Sequence, residues 1–190
     1  MPRSFVPFTL TVCGIEELPG HSEVGVSHVL SILDPEHPGL EVFGGYGEHE
    51  RLELRFHDII EELSGQSPPL REHVDAILAL GRDLMAEPEA CRHLLVHCHM
   101  GISRSTAALT MILAQARPDR PAADAMAAIV GIRAKAWPNL RMIEFADEAL
   151  GRGGELVAAV RARHRDYGLR NPDMVTYMRE NNRGREVEDL

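Results

Sequence analysis

Apolar residues alternate with polar ones in some short stretches of this chain and recur at helical spacing in longer ones. Phe8-Thr9-Leu10-Thr11-Val12 alternates and is rich in β-formers, which predicts a strand. Val26 to Leu33 predicts a second strand, ended by Asp34-Pro35. Leu52-Glu53-Leu54-Arg55-Phe56 alternates again and predicts a third, with His57-Asp58 at its C-terminal end. Leu94-Leu95-Val96 is short and apolar throughout, as befits a strand buried on both faces. Between these lie a short helix or turn at Ile15-Glu16-Glu17-Leu18 and a loop over residues 36–49 containing Pro38, Gly39, Gly44, Gly45 and Gly47. The cluster Gly44-Gly45-Tyr46-Gly47 lacks the following Lys and the strand–helix setting of a nucleotide loop.

Leu70, Val74, Ile77, Leu78, Leu84 and Met85 mark one stripe of a helix over Leu70 to Ala86. Thr106 to Ala116 is apolar on nearly every side, which predicts a central, enclosed helix ended by Pro118. Pro121 suits the first turn of a helix running from Ala122 to Ala136, with Gly131 a weak point. Asn139 is a candidate N-cap for Leu140 to Leu150, with Gly151 just beyond its end. Glu155 to Arg165 predicts another helix. From about Asn171 the chain is polar and charged. It reads as a partly mobile tail over 171–190, with Met174, Tyr177 and Met178 as its apolar points. Strands alternate with helices early and helices dominate late. The expectation is an α/β fold: one domain over 1–170 with a small, mostly parallel sheet of four to five strands flanked by helices. Strand C-terminal ends should gather at one edge, where open sheets bind ligands. Asp58 and Cys98 each follow a strand and would meet there.

Composition narrows the setting. The chain has 190 residues, 44% of them hydrophobic but only 5% aromatic, so the core is aliphatic. No apolar run is long enough to span a membrane, and Met1 to Pro7 lacks the apolar core and cleavage site of a secretory leader. A cytoplasmic protein with no membrane partner is expected. Cys13, Cys91 and Cys98 are odd in number and widely spaced, without metal-pair spacing or a disulfide framework. A formal net charge of −9 argues against a nucleic-acid partner. It also means that an anionic substrate must be drawn in by helix N-termini and individual arginines.

The chemistry concentrates in His97-Cys98-His99-Met100-Gly101-Ile102-Ser103-Arg104-Ser105. The apolar run before it and the helical run after it predict a strand feeding a tight loop that opens a helix. Such a loop aims backbone N–H groups at one point and adds the positive end of the helix dipole. Gly101 lets the backbone approach closely, and the Arg104 fork can grip two phosphate oxygens. The field that attracts a phosphate also favours thiolate over thiol at Cys98, which makes a nucleophile.

This stretch resembles the phosphate-binding loop of the cysteine-based protein tyrosine phosphatases. Its form is closest to the dual-specificity branch and to small bacterial tyrosine-phosphatase-like proteins. The likeness extends from about Val26 to Leu150. It implies that Cys98 attacks phosphorus to form a phosphocysteine, and that Arg104 and the amides from His99 through Met100, Gly101, Ile102 and Ser103 bind the phosphate. It implies that Ser105 assists the sulfur's departure, that His97 orders the loop, and that no metal or cofactor takes part. It also implies a general acid on a separate loop. Asp58 matches best, with Asp34 next and Glu61 and Glu62 behind it. Asn139, after Pro138, matches an Asn that packs beneath the loop. His99 either faces substrate or points to solvent. The implied substrate is a phosphorylated protein, phosphotyrosine first and phosphoserine or phosphothreonine beside it, or else a small phosphorylated metabolite. A rhodanese-like sulfurtransferase and a phosphate-binding pseudophosphatase are the alternatives. Oligomeric state stays open, as does redox pairing of Cys98 with Cys13 or Cys91.

Overall fold

The computed structural model describes residues 5–190; Met1–Ser4, part of the stretch read above for a leader, lie outside the described residues. Strands β1 (Thr9–Cys13), β2 (His28–Leu33), β3 (Glu50–Arg55) and β4 (His93–His97) form one four-stranded sheet in the order β1-β4-β2-β3. Every neighbouring pair is parallel. Burial explains the sequence patterns. Every residue of the central strands β2 and β4 is buried, so neither needs to alternate. The edge strand β3 is only partly covered. Its Leu52 and Leu54 pack on the core, while Glu53 accepts hydrogen bonds from Arg51 and Arg55.

The helices are α1 (Arg71–Ala86), α2 (Arg104–Ala116), α3 (Ala122–Ile132), α4 (Leu140–Ala149), α5 (Glu155–Arg170) and α6 (Pro172–Glu180). Helix α2 is buried from Arg104 to Ala114, which is why its sequence is apolar all round. The larger apolar cluster joins Leu30 and Ile32 of β2, and Leu94 and Val96 of β4, to α1 through α5. A smaller cluster, Cys13, Leu18, Val26, Val29, Phe43, Tyr46 and Leu95, is covered by short 3-10 turns at Ile15–His21 and Glu41–Gly45. The Tyr46 hydroxyl donates to the Leu18 carbonyl at 2.7 Å and ties these two turns together. Among the described residues no helix is long and apolar enough to cross a membrane.

Two expectations change. Helix α3 stops at Ile132, just past Gly131, and Arg133 leaves it with extended backbone. The segment 171–190, expected as a polar, partly mobile tail, carries helix α6 and a short 3-10 turn at Gly184–Glu186. Pro172 opens α6 where its missing N–H costs no hydrogen bond. Val175, Met178 and Val187 pack on the fully buried Trp137. The segment looks polar because few apolar anchors carry it, and because its buried charges, Arg183 and Glu186, satisfy each other. Since all strands run the same way, the residues after them, Gly14, Asp34, Asp58 and Cys98, come to the C-terminal edge of the sheet.

Candidate active site

The loop between β4 and α2 takes its shape from what its carbonyls meet. The His99 carbonyl accepts from the Ile15 amide at 3.0 Å. Arg133 donates from Nη2 to the Met100 carbonyl at 3.0 Å and from Nε to the Gly101 carbonyl at 2.9 Å. The Ile102 carbonyl accepts from Trp137 N at 2.9 Å and from Thr106 Oγ1 at 2.5 Å. The Ser103 carbonyl accepts from Ala107 N at 2.9 Å. All these acceptors are engaged outside the loop. In a trans peptide the next N–H points the other way. The amides of Met100, Gly101, Ile102, Ser103 and Arg104 therefore face the loop interior, and the N-terminus of α2 adds its partial charge. Gly101 has φ +64°, and a Cβ there would lie 2.4 Å from the Cys13 carbonyl carbon. Only glycine fits where the loop rests on the end of β1.

Cys98 is buried, and its sulfur lies 3.2 Å from the Ser105 hydroxyl. His97 is fully buried with Nε2 2.7 Å from the hydroxyl of Ser31, its register partner on β2. Burial pushes this imidazole down to about 4, so it is neutral. Arg104 is buried and donates from Nη1 to the Phe56 carbonyl at 2.5 Å and to Asp34 Oδ1 at 2.6 Å. Its buried Nε has no partner among the described residues. Buried donors are nearly always paired.

Asp58 sits beside the loop. Its Oδ1 accepts from Ser103 Oγ at 2.7 Å and from Asn139 Nδ2 at 2.9 Å, and lies 3.2 Å from Arg183 Nη1. Burial by itself would raise this carboxyl. Arg183 and Arg104, with the two neutral donors, more than offset it and hold Asp58 below the usual carboxylate range. Asn139 is fully buried. Its Oδ1 caps α4 by accepting from Met142 N at 3.1 Å, while its Nδ2 serves Asp58 and the Ile59 carbonyl.

Of the remaining candidates, Asp34 and His99 reach the loop, and the others do not. Asp34 pairs with Arg104, and its backbone N–H donates to His99 Nε2 at 3.1 Å. That bond requires the His99 nitrogen to be unprotonated, and burial followed by the charge of Arg104 lowers its pKa accordingly. Glu61 and Glu62 pair with Arg185 and Arg141 instead of facing the loop. Cys13 packs in the smaller apolar cluster and Cys98 in the larger one, so their side chains leave the sheet on different sides. All three cysteines are free thiols.

Sequence reasoning missed two arginines. Arg133 braces the loop carbonyls and is itself held by Glu17 through bonds of 2.8 and 2.7 Å. Glu17 Oε2 also accepts from the Gly14 amide at 2.6 Å. Arg183 arrives from the segment after α6. The one sequence signal available was Glu17 three residues after Gly14, the spacing of a carboxylate that caps its own turn.

Above Cys98 opens a cleft of about 800 Å³. Its floor is Cys98, Ser103 and Arg104, and its sides include Asp58, Met100, Ile102, Tyr167, Met174 and Tyr177. The cleft thus joins a cationic, amide-lined base to apolar and aromatic walls drawn from α5 and α6.

No protein-family model matches the chain, and no curated protein matches it in sequence. Solved structures do match. Human DUSP28 superposes with a TM-score of 0.57 at 18% identity, over 75% of this chain and 92% of its own. The human tyrosine phosphatase-like serine/threonine/tyrosine-interacting protein gives 0.57 at 18% identity, over 78% and 95%. The PTP-2 phosphatase of Cydia pomonella gives 0.58 at 16% identity, over 76% and 87%. Sheet order, loop position and these superpositions together assign the chain the fold of the cysteine-based protein tyrosine phosphatases.

Proposed function

We propose that this protein is a phosphatase that hydrolyses phosphomonoesters through a phosphocysteine, with phosphotyrosine in proteins as its first substrate class. The observation that carries this reading is the loop itself. Its carbonyls from His99 to Ser103 are tied outward, which turns the following amides inward, and the buried Arg104, its Nε without a partner among the described residues, lines the same cleft as Cys98. Amides and guanidinium bind the equatorial oxygens and stabilise their charge in the transition state. The Cys98 thiolate attacks phosphorus, the ester P–O bond breaks, and the leaving oxygen takes a proton. A water then attacks the phosphocysteine, the P–S bond breaks, and the water's proton passes to a carboxylate. The Ser105 hydroxyl, 3.2 Å from the sulfur, stabilises the thiolate as it departs.

Asp58 is the carboxylate for this exchange, because it lines the same cleft as Cys98 and Arg104. Held ionised, it is ready to accept the water's proton. Its protonated form is scarce at neutral pH, which favours esters whose oxygen leaves readily. A tyrosine phenol, with a pKa of about 10, leaves more readily than a serine alkoxide. A cytoplasmic setting belongs to this reading, since a free catalytic thiol persists best in a reducing compartment.

The test is hydrolysis of an aryl phosphate by wild type and Cys98→Ser, with mass measurement of acid-quenched enzyme. Turnover in wild type, a phosphorylated intermediate on Cys98 and loss of both in the serine variant are expected. Full turnover by Cys98→Ser overturns the reading.

A further inference from the structure

Arg183 enters the site from outside the stretch that carries the sequence resemblance. Its guanidinium closes a ring with two side chains of the site. Nη1 lies 3.2 Å from Asp58 Oδ1, Nη2 donates to Ser103 Oγ at 3.0 Å, and Ser103 Oγ donates to the same Asp58 oxygen at 2.7 Å. A second set of bonds holds the guanidinium from behind. Nε and Nη2 each donate to Glu186 at 2.8 Å. Glu186 in turn accepts from Trp137 Nε1 at 2.8 Å and from Leu140 N at 2.9 Å. Arg183 is only 5% exposed, so it has no freedom to swing aside. Its hydrogen bonds leave the inward-facing loop amides untouched.

We propose that Arg183 is a positioning residue that binds Asp58 and Ser103 together and biases the reaction toward phenolic over alkyl leaving groups. This rests on the phosphatase reading above. The titratable and charged groups around Asp58 are Arg183 from the C-terminal segment, Arg104 from α2, His99 from the loop and, across Arg104, Asp34 after β2, with Ser103 and Asn139 as neutral donors. Glu186 faces Arg183 from its far side. A carboxylate so surrounded keeps its charge near neutral pH. It then has little proton to give a leaving alkoxide, which needs one, whereas a phenolate departs with less help. In the second step the same charged carboxylate is the form that takes a proton from water. Arg183 therefore acts on the first step through Asp58 and sets which esters pass it.

The experiment compares kcat/KM for phenyl phosphate and for phosphoserine, across pH, in wild type, Arg183→Met, Arg183→Lys and Asp58→Asn, each checked for folding by circular dichroism. In Arg183→Met the phenolic-to-alkyl ratio falls about tenfold, because losing the adjacent cation raises the Asp58 pKa and makes its proton more available. The pH limb governed by Asp58 moves to higher pH. Arg183→Lys keeps the charge and holds the limb near its wild-type position. Adding Arg183→Met to Asp58→Asn leaves the ratio unchanged, because the group it acts through is gone. Equal loss on both substrates with an unmoved limb, or the same ratio change in the Asp58→Asn background, overturns the proposal. If the methionine variant does not fold, Arg183→Gln is read in the same way. Wild type without phosphatase activity overturns the functional reading and this proposal with it. An active wild type whose ratio ignores Arg183 overturns the proposal alone.

Discussion

Two arginines brace the loop, each anchored by a glutamate, and they act on different things. Arg133, with Glu17, sits near the surface and grips the backbone carbonyls of Met100 and Gly101. Arg183, with Glu186, is buried and grips the side chains of Ser103 and Asp58. The first brace holds the loop's shape. The second sets the charge beside it. Their surroundings decide how much each can bear. Water can replace part of a brace whose glutamate is open to solvent, but nothing can replace a cation removed from a buried network.

The comparison breaks most severely where both braces lose their object. Gly101→Ala forces a Cβ onto the Cys13 carbonyl and a side chain into a left-handed backbone. The conformation alone costs about 1–3 kcal/mol, the clash adds more, and aryl phosphate turnover should disappear. Arg183→Met leaves Glu186 without its cation and Asp58 with Arg104 alone. Removing one partner of a buried pair costs about 3–5 kcal/mol, read as a lower denaturation midpoint in urea. Arg133→Ala frees two loop carbonyls at a half-open site. A loss of about tenfold in kcat/KM, about 1.4 kcal/mol of transition-state stabilisation, is expected, with the pH limbs where wild type has them. Unmoved limbs for Arg133→Ala beside a moved limb for Arg183→Met would sharpen the division between shape and charge. Limbs that move in both would erase it.

The smallest effect concerns Glu17. Its hydrogen bond to Arg133 is the largest influence on it and brings its carboxyl down to about 2, from an ordinary value of 4.5. A folded-state value below the unfolded one means that the unfolded chain binds the proton first. The stabilisation is complete above about pH 4.5 and is lost as pH falls toward about 2. Glu17→Gln should flatten the melting temperature over that window relative to wild type. His97 sharpens the measurement from another direction. Burial holds it near 4 against an ordinary 6.5, so stability also declines as pH falls from about 6.5 to about 4. That decline should persist in Glu17→Gln.

Cys98, the loop glycine and the loop arginine were legible in the sequence as one loop because they lie within a few residues of one another. The strand before them and the helix after them announce themselves by local apolar patterns. The parallel sheet followed from the same patterns, since alternating strands and helices leave few other arrangements. Asn139 was legible as an N-cap, but not as the donor that reaches Asp58. Asp58 was legible as a carboxylate after a strand, yet its charge state was not, because every partner that sets it comes from elsewhere in the chain. The helix in the C-terminal segment was not legible for a related reason. Its composition is polar, and its buried charges count as polar in any pattern although Arg183 and Glu186 satisfy each other inside.

Local sequence alone placed Cys98, Gly101, Arg104 and Ser105 on one strand–loop–helix turn, because backbone preference and short-range spacing suffice to build it. Contacts between distant residues did the rest. Arg133 lies 116 residues from the Glu17 that holds it, and Arg183 lies 80 residues from the Ser103 it reaches. Electrostatic energy depends on distance in space and on burial, and neither is carried by neighbours along the chain. The loop's chemistry was therefore written locally, while its bracing and the protonation of the carboxylate beside it were decided only when the chain closed on itself.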